Sequence, residues 1–317
     1  MPVEHTGRQI AEPAVSETKL LWATTWLAYR LHPPDQYEPI IGSGTTLTIV
    51  RANTTKAKLR DGTLTLGAVI TSPAAEMVEI AAVAGFDFVT FDAEHEPLDD
   101  AQLVELIRVA DAAGITPIVR VAKDGDRILR LLDAGAQGIH APRCSTPGDM
   151  RQLVQWTQFH PRGERTFYRL GRGGHYGRGL DDDTWAAKSN AELLVVAMIE
   201  EAAALDHLDE LLAVPNIDAI HIGPKDLWQS MGMPPAPVVE AAVSRIATAV
   251  RAAGKYLSLQ LRSIDDIPPQ INRAIARQAN MISVPLGGLL LQASEALIRQ
   301  ARDIGGAAKI HSARTDG

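Results

Sequence analysis

Ionisable side chains crowd the end of an apolar run in FVTFDAEHEP, residues 88–97, among them Asp92, Glu94 and His95. An imidazole titrates near neutrality, so His95 can take or give a proton under ordinary conditions. The two carboxylates could orient it, hold a nearby water, or simply bond the next loop. Further along, Glu200 closes LLVVAMIE and Asp226 follows AIHIGPK. Two carboxylates from neighbouring strands, with coordination positions left for water and substrate, suit a hard divalent ion such as Mg2+ or Mn2+. Spacing alone leaves a second reading of Asp226 open, that of a helix cap. Arg120 ends TPIVR and carries a planar fork that can grip a carboxylate or a developing enolate oxygen. Its alternative is a structural salt bridge. Arg143 ends a fourth run, and Lys225 stands beside Asp226.

Such residues act together only if the fold brings the ends of their runs to one place. From about Thr63 onward, short β-rich runs alternate with segments of helical spacing. The strands read TLTLGAVI, FDFVTFD, TPIVRV, GIHAPR, LLVVAMIE, AIHIG, YLSLQL and MISVPL. In DDAQLVELIRVADAAG, Asp99 or Asp100 can cap a helix whose stripe is Leu103, Leu106, Ile107 and Ala110, with Gly114 as its stop. In STPGDMRQLVQWTQF, Thr146 caps and Pro147 fits the first helical position. Eight such units predict a parallel sheet closed as a (β/α)8 TIM barrel, with an open doubly wound sheet as the alternative. No dinucleotide-type glycine fingerprint follows the first strand, which favours the barrel. In a barrel the strand C-termini form one rim, and five consecutive strands bring charge to it. A Gly- and Arg-rich connection, roughly His160 to Asn190, is long enough to be a binding loop or lid.

Composition narrows the classes. A chain of 317 residues holds one barrel plus an extension. We divide it at about residue 48, into an N-terminal extension (1–48) and a barrel domain (49–317). The extension carries no legible chemistry, and a helix from about Ser16 to Leu31 is expected in it, stopped by HPP. A net charge of −7 argues against a nucleic-acid or anionic-membrane partner, which would select a basic face. No run of eighteen apolar residues is present and the N-terminus lacks a basic signal-peptide region, so neither a membrane span nor secretion is expected. One cysteine, Cys144, excludes an intrachain disulfide, and a cytoplasmic setting is the default expectation.

In GFDFVTFDAEHEP, TPIVRV, LLDAGAQGIHAPR, AMIEEAAALDHLDELLAVPNIDAIHIGPKDLWQSMG and the EAL near the C-terminus, the chain resembles a known family. It is similar to the class II, metal-dependent pyruvate aldolases of the 4-hydroxy-2-oxoheptanedioate aldolase type, in the HpcH/HpaI aldolase/citrate lyase group. The resemblance spans about residues 50–300. It implies a barrel assembled as a homo-oligomer, a hexamer or trimer of dimers with exchanged C-terminal helices. It implies Glu200 and Asp226 as ligands of a divalent ion (Mg2+ or Mn2+, with Co2+ or Zn2+ as further candidates). It also implies His95 as catalytic base, Arg120 as the arginine that stabilises the enolate, and Asp133 as the aspartate paired with the histidine. Glu94 would hold a metal-bound water, and Lys225 need not be a Schiff-base nucleophile; for Asp92 a structural hydrogen bond to the next loop and a supporting catalytic role both stay open. The implied substrates are a 2-oxo acid (pyruvate or oxaloacetate) and an aldehyde or other acceptor.

Several positions depart from that pattern. Met198, two before Glu200, replaces a glutamine that contacts substrate; Lys225 replaces a small residue, and Trp228 a serine. His140 and His221 stand where apolar residues are usual, each read as a satisfied core histidine. Strand seven lacks the family's glycine, and the end of strand eight lacks its aspartate. The metal and base set is thus retained while the substrate walls are altered. The leading reading is an aldolase acting on 2-oxo-4-hydroxy acids through a pyruvate enolate. The alternatives are a specialised synthase that decarboxylates oxaloacetate and condenses the enolate with a dedicated acceptor, and a non-catalytic barrel scaffold. Lys225, Arg172 or Arg178 is a candidate for binding an extra anionic group on the substrate.

Overall fold

A computed structural model describes residues 50–261 and 267–307; the helix expected at 16–31 lies outside them. Eight parallel strands close into a barrel in sequence order: β1 (Thr65–Ile70), β2 (Phe88–Asp92), β3 (Thr116–Arg120), β4 (Gly138–Ala141), β5 (Leu194–Ile199), β6 (Ala219–Ile222), β7 (Tyr256–Gln260) and β8 (Met281–Pro285). The last strand pairs with the first through Gly67↔Ser283 and its neighbours. Strands buried on both faces need near-continuous apolar runs. Accordingly every residue of β2, β4, β5 and β6 is buried.

The helices are α1 (Thr54–Arg60), α2 (Ala75–Val83), α3 (Asp100–Ala113), α4 (Gly125–Ala134), α5 (Pro147–Thr157), α6 (Asp182–Glu192), α7 (Leu208–Leu212), α8 (Pro224–Ser230), α9 (Ala236–Ala252), α10 (Ile267–Ala276) and α11 (Leu286–Ala307). Local chemistry sets their ends. Asp99 forms a full capping box with Gln102, and Thr146 one with Asp149; Gly114 ends α3 in the left-handed conformation. The stripe Leu103, Leu106, Ile107 and Ala110 is wholly buried against the sheet. The long connection is only partly a loop, because its end, from Asp182 onward, forms α6.

Helix α1 closes the barrel floor, where the strands begin. Leu59 enters the interior beside Phe88 and Ile118, the Asn53 side chain donates to the Gln137 carbonyl at 2.9 Å, and Lys56 meets Asp218 at 2.9 Å. A closed floor leaves the opposite rim as the open end.

Candidate active site

The rim is where the expected residues meet. Asp92 and Arg120 are register partners at the ends of β2 and β3, so their side chains emerge on the same face. Arg120 Nε donates to Asp92 Oδ1 at 2.9 Å, and Nη2 bonds Oδ2, making a bidentate fork. The same Oδ1 accepts the backbone N–H groups of Glu94 and His95 at 3.2 and 3.3 Å. Burial opposes charge on Asp92, but Arg120 and these two donors hold its carboxyl below the usual range. Asp92 therefore pins both the arginine and the loop that carries His95. Burial likewise opposes the Arg120 charge, yet its bond to Asp92 and the nearby Glu94 and Glu200 raise its pKa.

Glu94 sits between two guanidinium groups and an imidazole. His95 Nε2 and Arg120 Nε each lie 3.7 Å from its Oε2, and Arg143 Nε lies 3.9 Å from its Oε1. These spacings are too long for hydrogen bonds. The His95 side chain is 60% exposed, open to an incoming substrate.

Glu200, at the end of β5, is 4% exposed. Its Oε1 accepts the backbone N–H of Arg143 at 2.8 Å. Arg143 holds a left-handed backbone (φ 52), which a non-glycine residue adopts only when its surroundings enforce it. Here both ends of its peptide are tied, since the Lys123 ammonium also donates to its carbonyl at 2.8 Å. A Cβ on Gly223 would fall 2.7 Å from Glu200 Oε2 and closer still to Met198, so the residue that follows β6 must be glycine for Glu200 to occupy this place. Asp226 lies in the first turn of α8, one turn beyond β6. No side chain caps α8, so the capping reading of Asp226 has no bond to support it.

Burial, together with the neighbouring charges of Glu94 and Asp226, pushes the Glu200 carboxyl up to about 7 despite the Arg143 N–H. That carboxylate is short of positive charge. Glu200 and Asp226 therefore fit a hard divalent ion that keeps several non-protein ligands. Among the described residues there is no group of three or more His, Cys, Asp or Glu that could hold a metal ion. Lys225 is exposed, with its ammonium 5.8 Å from the Trp228 ring centroid, and the Trp228 indole donates to the Pro234 carbonyl.

Three expectations need correction. Asp133 does not pair with His95 within the chain: it lies in the last turn of α4, at the floor end, where Arg165 bonds it at 2.7 Å. A barrel helix runs antiparallel to its strands, so a residue just before β4 is carried to the end opposite the tip of β2. The Gly/Arg loop goes the same way. Arg172 bonds Asp111 and the Ala134 carbonyl beside a floor cavity of about 380 Å3, remote from the rim. Finally, His221 is satisfied by Ser258 Oγ at 2.9 Å, but buried His140 Nε2 has no partner among the described residues. The sequence reasoning also missed Lys123 and Gly223; a glycine directly after an apolar run, followed by a proline and three residues before Asp226, was the available signal for the second.

The sequence and the fold are both shared with known proteins. The chain is 31% identical over 248 residues to 2-keto-3-deoxy-L-rhamnonate aldolase of Escherichia coli strain K12, covering 75% of this chain and 89% of that one. The structure of an HpcH/HpaI aldolase from Desulfitobacterium hafniense DCB-2 superposes with a TM-score of 0.72 at 26% identity, covering 79% of this chain and 97% of that one. The citrate synthase SbnG gives a TM-score of 0.70 at 29% identity, with 79% and 98% covered. The family model for HpcH/HpaI aldolase/citrate lyase matches residues 67–282, which run from β1 into β8 and include every rim residue described above. This chain is an enzyme of the HpcH/HpaI aldolase/citrate lyase family.

Proposed function

We propose that the rim cluster makes and breaks the C3–C4 bond of 2-oxo-4-hydroxy acids through a pyruvate enolate. The observation that carries this reading is Glu200, a buried carboxylate raised to about 7 and set beside Asp226, with the Arg120 fork alongside. Glu200 and Asp226 would hold a divalent ion, Mg2+ or Mn2+ on the hardness of their oxygens. Such an ion, when bound, supplies Lewis-acid polarisation of a 2-oxo acid.

The chain's own residues do the rest. In cleavage His95 takes the proton of the 4-hydroxyl, directly or through a water held at Glu94. The O–H electron pair becomes the aldehyde C=O, and the C3–C4 pair passes to the pyruvate fragment as an enolate. Arg120, oriented by its fork on Asp92, stabilises the enolate oxygen. A proton added at C3 completes pyruvate, and the reverse sequence joins the enolate to an aldehyde. Loss of CO2 from oxaloacetate enters the same enolate. Met198 and Lys225 would form part of the substrate wall. Asp133 has no assigned role in these steps within one chain.

A second reading, a synthase that feeds the enolate from oxaloacetate to a dedicated acceptor, is favoured by the likeness to the citrate synthase SbnG and by the altered wall residues. Exposed Leu290, Leu291, Leu297 and Ile298 on α11 support a homo-oligomer, with a hexamer or trimer of dimers as its expected form. The one buried, free cysteine fits a cytoplasmic setting. No helix among the described residues is long and apolar enough to cross a membrane.

The test is oxaloacetate decarboxylation with EDTA, then with Mg2+ or Mn2+ restored. Metal-dependent pyruvate release is expected, and its absence with every divalent ion would overturn the enolate reading. Product analysis with candidate aldehydes and acceptors then separates aldolase from synthase.

A further inference from the structure

The inside of the barrel changes character along its axis. Near the floor it is filled by Phe88, Ile118, Leu194, Val196, Ala219 and Met281. One step toward the rim, Thr90, His140, His221, Ser258 and Ser283 join Arg120 around a cavity of about 10 Å3. Barrel interiors are ordinarily packed with branched aliphatic side chains at such positions. A polar layer directly beneath the enolate-stabilising arginine therefore needs a physical reason.

The two histidines supply one. Their rings lie 4.7 Å apart, tilted by 57°, and are 7% and 4% exposed. Burial, reinforced by the Arg120 charge, holds both imidazoles neutral, so each ring has one N–H and one lone pair to satisfy. His221 is engaged by Ser258, whereas His140 Nε2 has no partner among the described residues. An unpaired buried nitrogen is unfavourable, and the adjoining space is about the size of one water, which can both donate and accept. Asp92 takes Nε and one N–H of Nη2 of Arg120, which leaves further guanidinium N–H groups.

We propose that this cavity holds a single ordered water between His140 Nε2 and the Arg120 guanidinium, making His140 a positioning residue for Arg120. A neutral imidazole suits that task. It accepts a hydrogen bond relayed from the guanidinium without adding a second counter-charge, so the arginine is steadied while its charge stays available to the enolate oxygen. The inference rests on the enolate role of Arg120 given above.

The test combines a high-resolution crystal structure with deuterium exchange into the methyl group of pyruvate in D2O, run with Mg2+ or Mn2+. His140→Leu removes the nitrogen, His140→Asn withdraws it, and His140→Gln returns an amide near the Nε2 position. Density for a water within hydrogen-bond distance of His140 Nε2 is expected in the unaltered protein. Leu and Asn variants are expected to lose about tenfold or more in exchange kcat, with KM for pyruvate within about twofold, because enolate charge appears only in the transition state. The Gln variant should recover most of the rate. A dry cavity, a Leu or Asn variant exchanging at the unaltered rate, or a Gln variant falling as far as Leu would each overturn the proposal. If Leu does not fold, the Asn and Gln pair decides. Failure of the unaltered protein to exchange with any metal would overturn the enolate reading and with it the role of His140, while the water density still decides the site itself.

Discussion

The two ends of the barrel both gather buried charge, and they treat it in opposite ways. At the floor each charge meets its partner. Lys56 bonds Asp218 and the Leu193 carbonyl, Arg165 bonds Asp133, and Arg51 and Arg172 share Asp111. At the rim the acids outnumber close partners: Asp92 takes the Arg120 fork, while Glu94 has only distant cations and Glu200 only a backbone N–H. Matched charge keeps a fold closed, whereas unmatched charge at an open end is poised for a ligand.

The comparison can be broken most sharply at Glu200. Replacing Glu200 or Asp226 by Ala is expected to abolish metal binding and to lower oxaloacetate decarboxylation by roughly 10³-fold or more, the several kcal/mol of a Lewis-acid ion. Calorimetric titration with Mn2+ beside a pyruvate assay checks both, and retained activity would show that the unmatched acids serve another purpose. Next comes the division of labour between His95 and Arg120. Arg120→Ala should lower decarboxylation and aldol cleavage alike by about 10²–10³-fold. His95→Ala should cost aldol cleavage about 10²–10⁴-fold and spare decarboxylation, which moves no hydroxyl proton. Equal losses of both activities in His95→Ala would remove the base role.

The pH dependence of stability sharpens the contrast further. The Glu200 carboxyl is raised from an ordinary 4.5 to about 7, so the folded state favours its protonated form. Its stabilising contribution is present below 4.5 and is lost as pH rises through about 7. A bound cation reverses the penalty, so the Tm increase given by Mg2+ or Mn2+ should grow from pH 6 to pH 8. A shrinking increase would contradict the charge deficit. The smallest catalytic effect is expected at the floor. Lys56→Met leaves Asp218 and a buried carbonyl without their cation and should cost about 3 kcal/mol of stability in denaturant unfolding, with kcat and KM unchanged for protein that remains folded. Arg172→Ala should likewise leave KM unchanged; a raised KM for acidic substrates would bring the Gly/Arg loop back to the rim.

Much of this architecture is legible in local pattern. Eight strands, the capping boxes at Asp99 and Thr146, the stop at Gly114 and the stripe on α3 follow from periodicity and capping chemistry acting over a few residues. So does the delivery of Asp92, Glu94, His95, Arg120 and Glu200 to one rim, because the tip of a strand in a parallel barrel has a known end. Which of these groups would be matched is a different question, answered only by closure of the sheet. The register of β2 on β3 creates the Asp92–Arg120 fork, and the backbone of Arg143 reaches Glu200 across 57 residues. The same closure sends Asp133 and Arg172 to the floor and brings the His140 ring against that of His221. Residue types and strand ends are local properties of the chain. Partners, burial and therefore charge state depend on contacts between distant segments, which exist only once the barrel has closed.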